Sequence, residues 1–271
     1  MTNQPPLTNL LALSQHRRRA DLPSADFLHQ AAADELQERL IEVNRTFTAP
    51  ITVSPFPDFW EPALGQPVLR EGEDPPHQPD LIVSPLSLHW SNDPLGELTR
   101  HRQALRPDGM FLGCLFGGET LTELRQSFLA AETELKGGVT PRVAPMVHIA
   151  DAGALLQRAG FALPVADIVP LSVSYASPFN LIEDLRRMGE TNALARRWQG
   201  MTPRALFARM AEIYAERFPA EGGRIIATFD MIFLAGWAPD PSQQQPLRPG
   251  SAQASLAEAL APNLRSDDGK D

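Results

Sequence analysis

Asp80-Leu81-Ile82-Val83-Ser84 is a short apolar run without polar alternation, the pattern of a strand covered on both faces. Asn92 and Asp93 follow as caps for a helix with Pro94 at its first position, ending near Leu105. Leu105-Arg106-Pro107-Asp108-Gly109 then turns the chain into Met110-Phe111-Leu112-Gly113-Cys114-Leu115, a second buried strand. A strand, a helix and a strand of this kind predict an α/β sheet with parallel central strands.

Outward from that unit, Thr120 and Glu123 have the spacing of a capping box for a helix to about Leu135. Asp151 to Arg158 predicts another helix, closed by Gly160. Phe161 to Tyr175 predicts one or two strands broken at Pro164 and Pro170. Two helices follow, Pro178–Met188 and Pro203–Phe218, the second capped by Thr202. Phe229 to Trp237 is the last strand, expected to be antiparallel, and Ser255–Ala261 has a short helical pattern. Toward the N-terminus, Ser24 caps a helix to about Val43 with Phe27, Ala31, Leu36, Leu40 and Val43 on one face. Ile51-Thr52-Val53-Ser54 is a strand candidate, and Pro55 to Pro79 shows no period, which favours an extended loop.

The net charge of −9 argues against non-specific binding to nucleic acid or anionic lipid. Arg17-Arg18-Arg19 is the local exception, either a site for a phosphate or acidic partner or a solvated helix start. One cysteine, Cys114, excludes a disulfide framework and a cysteine-rich metal site. No apolar run has membrane-spanning length. The basic cluster follows the apolar stretch Leu10 to Leu13, the reverse of a secretory signal, so the expected location is cytoplasmic.

Asp80 to Asp93 resembles the fourth strand and following loop of class I methyltransferases of the methyltransferase 11 type, and Leu105 to Arg125 resembles their fifth strand. With Arg187-Met188-Gly189-Glu190-Thr191-Asn192-Ala193, Ala227 to Pro239 and Pro241 to Ala252, the likeness narrows. It is greatest to the methyltransferase-like assembly factor of respiratory complex I and its alphaproteobacterial relatives, with the biotin-pathway malonyl-carrier-protein methyltransferase further off. The resemblance implies a Rossmann-like sheet, S-adenosylmethionine as cofactor and a protein partner, namely a complex I subunit.

The chain departs from that family after its first strand, where the family carries a glycine-rich loop. Glycine is needed there because the backbone turns tightly against the cofactor. Here Gly65 is the first glycine of the chain, and Ser54-Pro55-Phe56-Pro57-Asp58-Phe59-Trp60 occupies the loop position. Only about 35 residues lie between Arg45 and Asp80, whereas each strand–helix–strand unit takes about 30. The sheet is therefore expected to be trimmed at one edge, leaving the family's first, fourth, fifth, seventh and sixth strands in that order. An edge so exposed invites a hetero- or homo-oligomeric contact. Glu71, Glu73 and Asp74 match the ribose-binding acid by position only.

The expected organisation is a flexible segment 1–23, the α/β domain 24–239 with a degenerate proline-rich region 50–79, and a disordered tail 240–271. The catalytic candidates are His89, Asn92, Asp93 and Glu119. The resemblance implies that His89 to Asp93 lie near the acceptor side, where an imidazole can act as a base near neutral pH and Asn92 or Asp93 can orient a substrate. The structural alternative has Trp90 packing under the next helix while Asn92 or Asp93 caps it. Gly117 and Gly118 permit close approach of a ligand or serve an ordinary turn, and Glu119, Glu123 and Arg125 also read as a solvated or ion-paired face. Arg186 to Asn192 reads as a helix end, or as a pocket wall or partner contact. Cys114 is read as core, and no histidine has metal-ligand spacing. The expected function is a non-catalytic assembly or binding factor with a degenerate cofactor site. The alternative is an active S-adenosylmethionine-dependent methyltransferase or a hydroxylase acting on a protein.

Overall fold

The computed structural model describes residues 5–75 and 77–243. Two compact units divide the chain, Met1–Pro239 and Asp240–Asp271. In the second, Asp240 accepts hydrogen bonds from the backbone and hydroxyl of Ser242. The helical pattern at Ser255–Ala261 and most of the tail 240–271 lie outside the described residues.

The first unit runs α1 (Leu10–Arg18), α2 (Phe27–Glu42), β1 (Pro50–Val53), α3 (Pro57–Leu64), β2 (Val68–Leu69), β3 (Leu81–Pro85), α4 (Pro94–Ala104) and β4 (Met110–Gly117). It continues α5 (Thr122–Lys136), α6 (Ile149–Ala159), β5 (Ala162–Tyr175), α7 (Pro178–Arg187), α8 (Arg204–Arg217), β6 (Pro219–Ala220) and β7 (Arg224–Trp237). The sheet order is β2-β1-β3-β4-β7-β5, with β6 paired to β7. Strands β1 to β4 are parallel, and β7 is antiparallel to β4 and β5. The expected order is present, with β2 added beyond the first strand.

Every residue of β3 and β4 is buried, and their parity divides the core. Leu81, Val83, Met110, Leu112, Cys114 and Phe116 face a layer containing α2, α5, α7 and α8. Ile82, Phe111 and Leu115 face the opposite layer, with Leu98 of α4 and Leu156 of α6. Side chains alternate across a strand, so an apolar run with helices on both sides fills two cores at once.

The structure corrects several local expectations. Segment 1–23 contains α1, capped by Asn9, whose side chain accepts from the Ala12 amide. Ser24 belongs to a short 3₁₀ turn, and α2 begins three residues later with Leu28, His29, Ala32, Ala33 and Leu36 as its buried face. Pro55–Pro79 is not one extended loop. Pro57 stands at the first position of α3, where no amide is needed, and Gly65 closes that helix at φ +65°. Thr120 and Glu123 form no capping box. Thr120 exchanges hydrogen bonds with the Asp230 backbone, and Glu123 accepts from Thr228, so both are stitched to β7. Thr202 does not cap α8; its hydroxyl accepts from Arg142. The strand β5 runs unbroken through Pro164 and Pro170, because it is an edge strand and its register shifts between Ala162 and Val165. The last strand starts at Arg224, not Phe229.

Candidate functional site

Two cavities open at the carboxyl ends of β1, β3 and β4, where open α/β sheets receive ligands. The larger, a cleft of about 880 Å³, lies between α1, the turn after β1, the residues after β2 and those after β3. The smaller, about 250 Å³, is mostly apolar, with Phe116, Leu124, Phe128, Met146, Leu185 and Phe229 among its walls. Trp90 lines both.

Behind Trp90 lies a carboxylate. Glu190 Oε2 accepts from Trp90 Nε1 at 2.7 Å and meets His89 Nε2 at 3.0 Å. Its side chain is 8% exposed. Burial alone pushes such a carboxyl up, but His89, the Arg17 guanidinium and the Trp90 N–H outweigh it and hold Glu190 below the usual range. Nearby His29, buried among Phe56, Phe59 and Trp60, is pushed down to about 4 by burial and so stays neutral.

The cleft is crossed by α1. Arg17 Nη1 donates to Glu71 at 2.6 Å, and its Nε and Nη2 are buried without a partner. Glu71 thereby stands two residues beyond β2, with Arg17 on its carboxylate. After β1 the chain runs Ser54-Pro55-Phe56-Pro57 into α3. A Cβ added at Gly189 would lie 3.3 Å from Phe56 Cζ and 3.3 Å from Arg17 Cα, so the Phe56 ring bridges the β1 exit to the loop bearing Glu190. Asp58 sits in the first turn of α3, which disfavours an anion there.

The four sequence candidates separate. His89 lines the small cavity, and Asn92 and Asp93 line the cleft. Asp93 caps α4 through the Gly96 amide at 2.9 Å. Asn92 clasps the N-terminal segment, accepting from the Thr8 amide and donating to its carbonyl. Glu119 is exposed and lines neither cavity; its amide donates to Asp230 at 2.7 Å. Gly117 and Gly118 serve packing: a Cβ on Gly117 would strike Ile232, and one on Gly118 would strike the Asp230 carboxylate. Of the three acids proposed by position, Glu71 alone lines the cleft.

Arg186 to Asn192 is a wall and a clasp together. Arg186, Glu190, Thr191 and Asn192 line the small cavity. The Thr191 carbonyl meets His16 of α1 at 3.1 Å, and Asn192 donates to the Pro141 carbonyl. Glu190 lay inside that motif, but nothing in the sequence pairs it with His89, 101 residues away. Cys114 is wholly buried, and burial pushes its thiol up. Among the described residues no cluster of histidine, cysteine or acidic side chains has the arrangement of a metal site, and no helix is long and apolar enough to cross a membrane.

No family model matches the chain. It is 41% identical over 179 residues to the zebrafish protein named arginine-hydroxylase NDUFAF5, mitochondrial, covering 66% of this chain and 56% of that one. The Dictyostelium discoideum protein of the same name is 42% identical over 180 residues, 66% of this chain and 41% of its own. A malonyl-[acyl-carrier protein] O-methyltransferase of Laribacter hongkongensis is 32% identical over 171 residues, 63% and 55% respectively. The chain spans about half the length of these curated relatives. The cytoplasmic location expected from the sequence is overturned, because the arginine-hydroxylase relatives are named as mitochondrial. With the sheet order above, the chain is similar over about two thirds of its own length to the NDUFAF5 proteins, and more distantly to the malonyl-[acyl-carrier protein] O-methyltransferases.

Proposed function

We propose that this chain is a protein-binding factor of the complex I assembly kind, built on a methyltransferase-like fold whose cofactor cleft no longer takes S-adenosylmethionine in the family's manner. The observation that carries the reading is the pair of obstructions in the cleft. Arg17 pairs with Glu71, which by position matches the family's ribose-binding acid, and Phe56 stands after β1, where the family carries glycine. Two prolines flank Phe56 and supply no amide there. The cofactor supplies the hard chemistry of methyl transfer, so a site that excludes it leaves a scaffold. The similarity to NDUFAF5 proteins supports a partner in complex I maturation. Isothermal titration of the whole chain with S-adenosylmethionine is expected to show no saturable heat; a one-to-one site of micromolar affinity overturns the reading.

A second reading is favoured by one observation. Glu190 is a buried carboxylate on the wall of an apolar pocket, the chemistry that receives an arginine side chain, and relatives are named arginine-hydroxylase. A peptide with a central arginine would then bind the wild-type chain and lose affinity in Glu190→Gln. Equal binding to both removes this reading.

A further inference from the structure

We infer that the groove between α7 and α8 docks an acidic amphipathic helix of a protein partner. This deepens the protein-binding reading above and rests on it.

The groove has a volume of about 510 Å³. Phe179, Ile182, Phe207 and Ala208 form its apolar part, and Phe179 is 51% exposed although aromatic. Arg186 and Arg204 stand at its rim, both exposed. Neither has an ion-pair partner among the described residues. The one acid lining the groove, Glu183, is taken by Arg187 at 2.6 Å. On a chain of net charge −9, two unpaired arginines beside an apolar floor form a local field of the opposite sign. Just before α8 in the sequence, Trp198 and Met201 are also 50% and 95% exposed. Aromatic side chains beside arginine, as Phe179 and Phe207 stand with Arg186 and Arg204, are the composition of interface centres.

The shape selects a helix. The lining residues of α7, Phe179 to Arg186, span about 11 Å at 1.5 Å per residue. That matches roughly two turns of a partner helix at 5.4 Å per turn, whose apolar face meets the floor while acids on its flanks meet Arg186 and Arg204. Nucleic acid would leave Phe179 and Ile182 without an apolar partner, and a bilayer surface does not enter a concave groove. Ile182, Arg186 and Phe207 also line the small cavity, so a segment seated on the groove reaches the mouth of the Glu190 pocket.

The probe is a fluorescein-labelled 16-residue helical peptide with leucines at i, i+4, i+7 and i+11 and glutamates on both flanks, followed by anisotropy with the whole chain. Binding is expected to weaken at least tenfold with Arg186→Glu/Arg204→Glu, similarly with Phe179→Asp, and steeply as salt is raised. The same peptide with lysines for glutamates should not bind. Circular dichroism checks that each surface variant remains folded. The inference is overturned if the acidic peptide fails to bind, if either variant binds it equally, or if the lysine peptide binds as well. It is also overturned if the chain alone forms a dimer that Phe179→Asp dissociates, since a second copy then occupies the groove. The cofactor titration tests the broader reading independently: S-adenosylmethionine binding defeats that reading, whereas peptide failure without cofactor binding defeats only the groove.

Discussion

Arg17 and Glu71 form a 2.6 Å ion pair across 54 residues of chain, tying α1 to the turn that follows the edge strand β2. The pair is asymmetric, because the arginine side chain is 9% exposed and the glutamate 34%. Removing the acid strands a buried cation whose other nitrogens are already unpaired. Removing the cation leaves a carboxylate that water reaches. Glu71→Gln should therefore cost about 1–3 kcal/mol, and Arg17→Met less, with the double variant recovering part of the Glu71→Gln loss. Urea unfolding of the four proteins measures this, and strictly additive losses would contradict it.

Glu190→Ala should cost on the order of 3 kcal/mol, because two ring nitrogens, on His89 and Trp90, lose their shared acceptor in a buried place. Near-ultraviolet circular dichroism should report the change at Trp90 while the far-ultraviolet spectrum holds. A loss under about 0.5 kcal/mol would show that water reaches both rings.

Acid should destabilise the chain in two stages. Burial lowers His29 and His101 from 6.5 to about 4, so the unfolded chain takes up protons that the folded chain refuses. Their stabilisation is complete above 6.5 and is lost as pH falls toward 4, at up to about 1.4 kcal/mol per pH unit for each. Glu190, held below its ordinary value, keeps its contribution above about 4.5 and loses it at still lower pH. Chemical denaturation between pH 7 and 4.5 should show the first slope, and His29→Phe should remove about half of it. An unchanged slope counts against a neutral buried His29.

Cys114 lies in the middle of β4 with no exposed surface. A thiol reagent should react with the native chain at the rate of global unfolding, and rapid stoichiometric labelling in buffer would contradict that burial.

The central sheet was legible because its information is local. Leu81 to Val83 and Met110 to Leu115 carry continuous apolar runs, and such runs have few other homes. The proline-rich segment was misread because Pro57 and Pro62 suppress a helical period, although Pro57 costs nothing at a first position. Thr120 and Glu123 have capping spacing, yet their partners lie more than 100 residues away on β7. The candidate site suffers the same limit. His89 was visible, but the acceptor that gives it meaning is Glu190, and only the fold brings them together. Glu119 looked equivalent on the sequence and faces solvent, because Asp230 holds its amide from the other side.

Trp90 forms part of the wall of both cavities and is fixed by a single carboxylate. A shared wall has a thermodynamic consequence. If an occupant of one cavity shifts the indole, it changes the free energy of filling the other, and the second occupant must alter the first by the same factor. Occupants of the cleft and of the small cavity would then be coupled without any chemical step, with the indole as the common term.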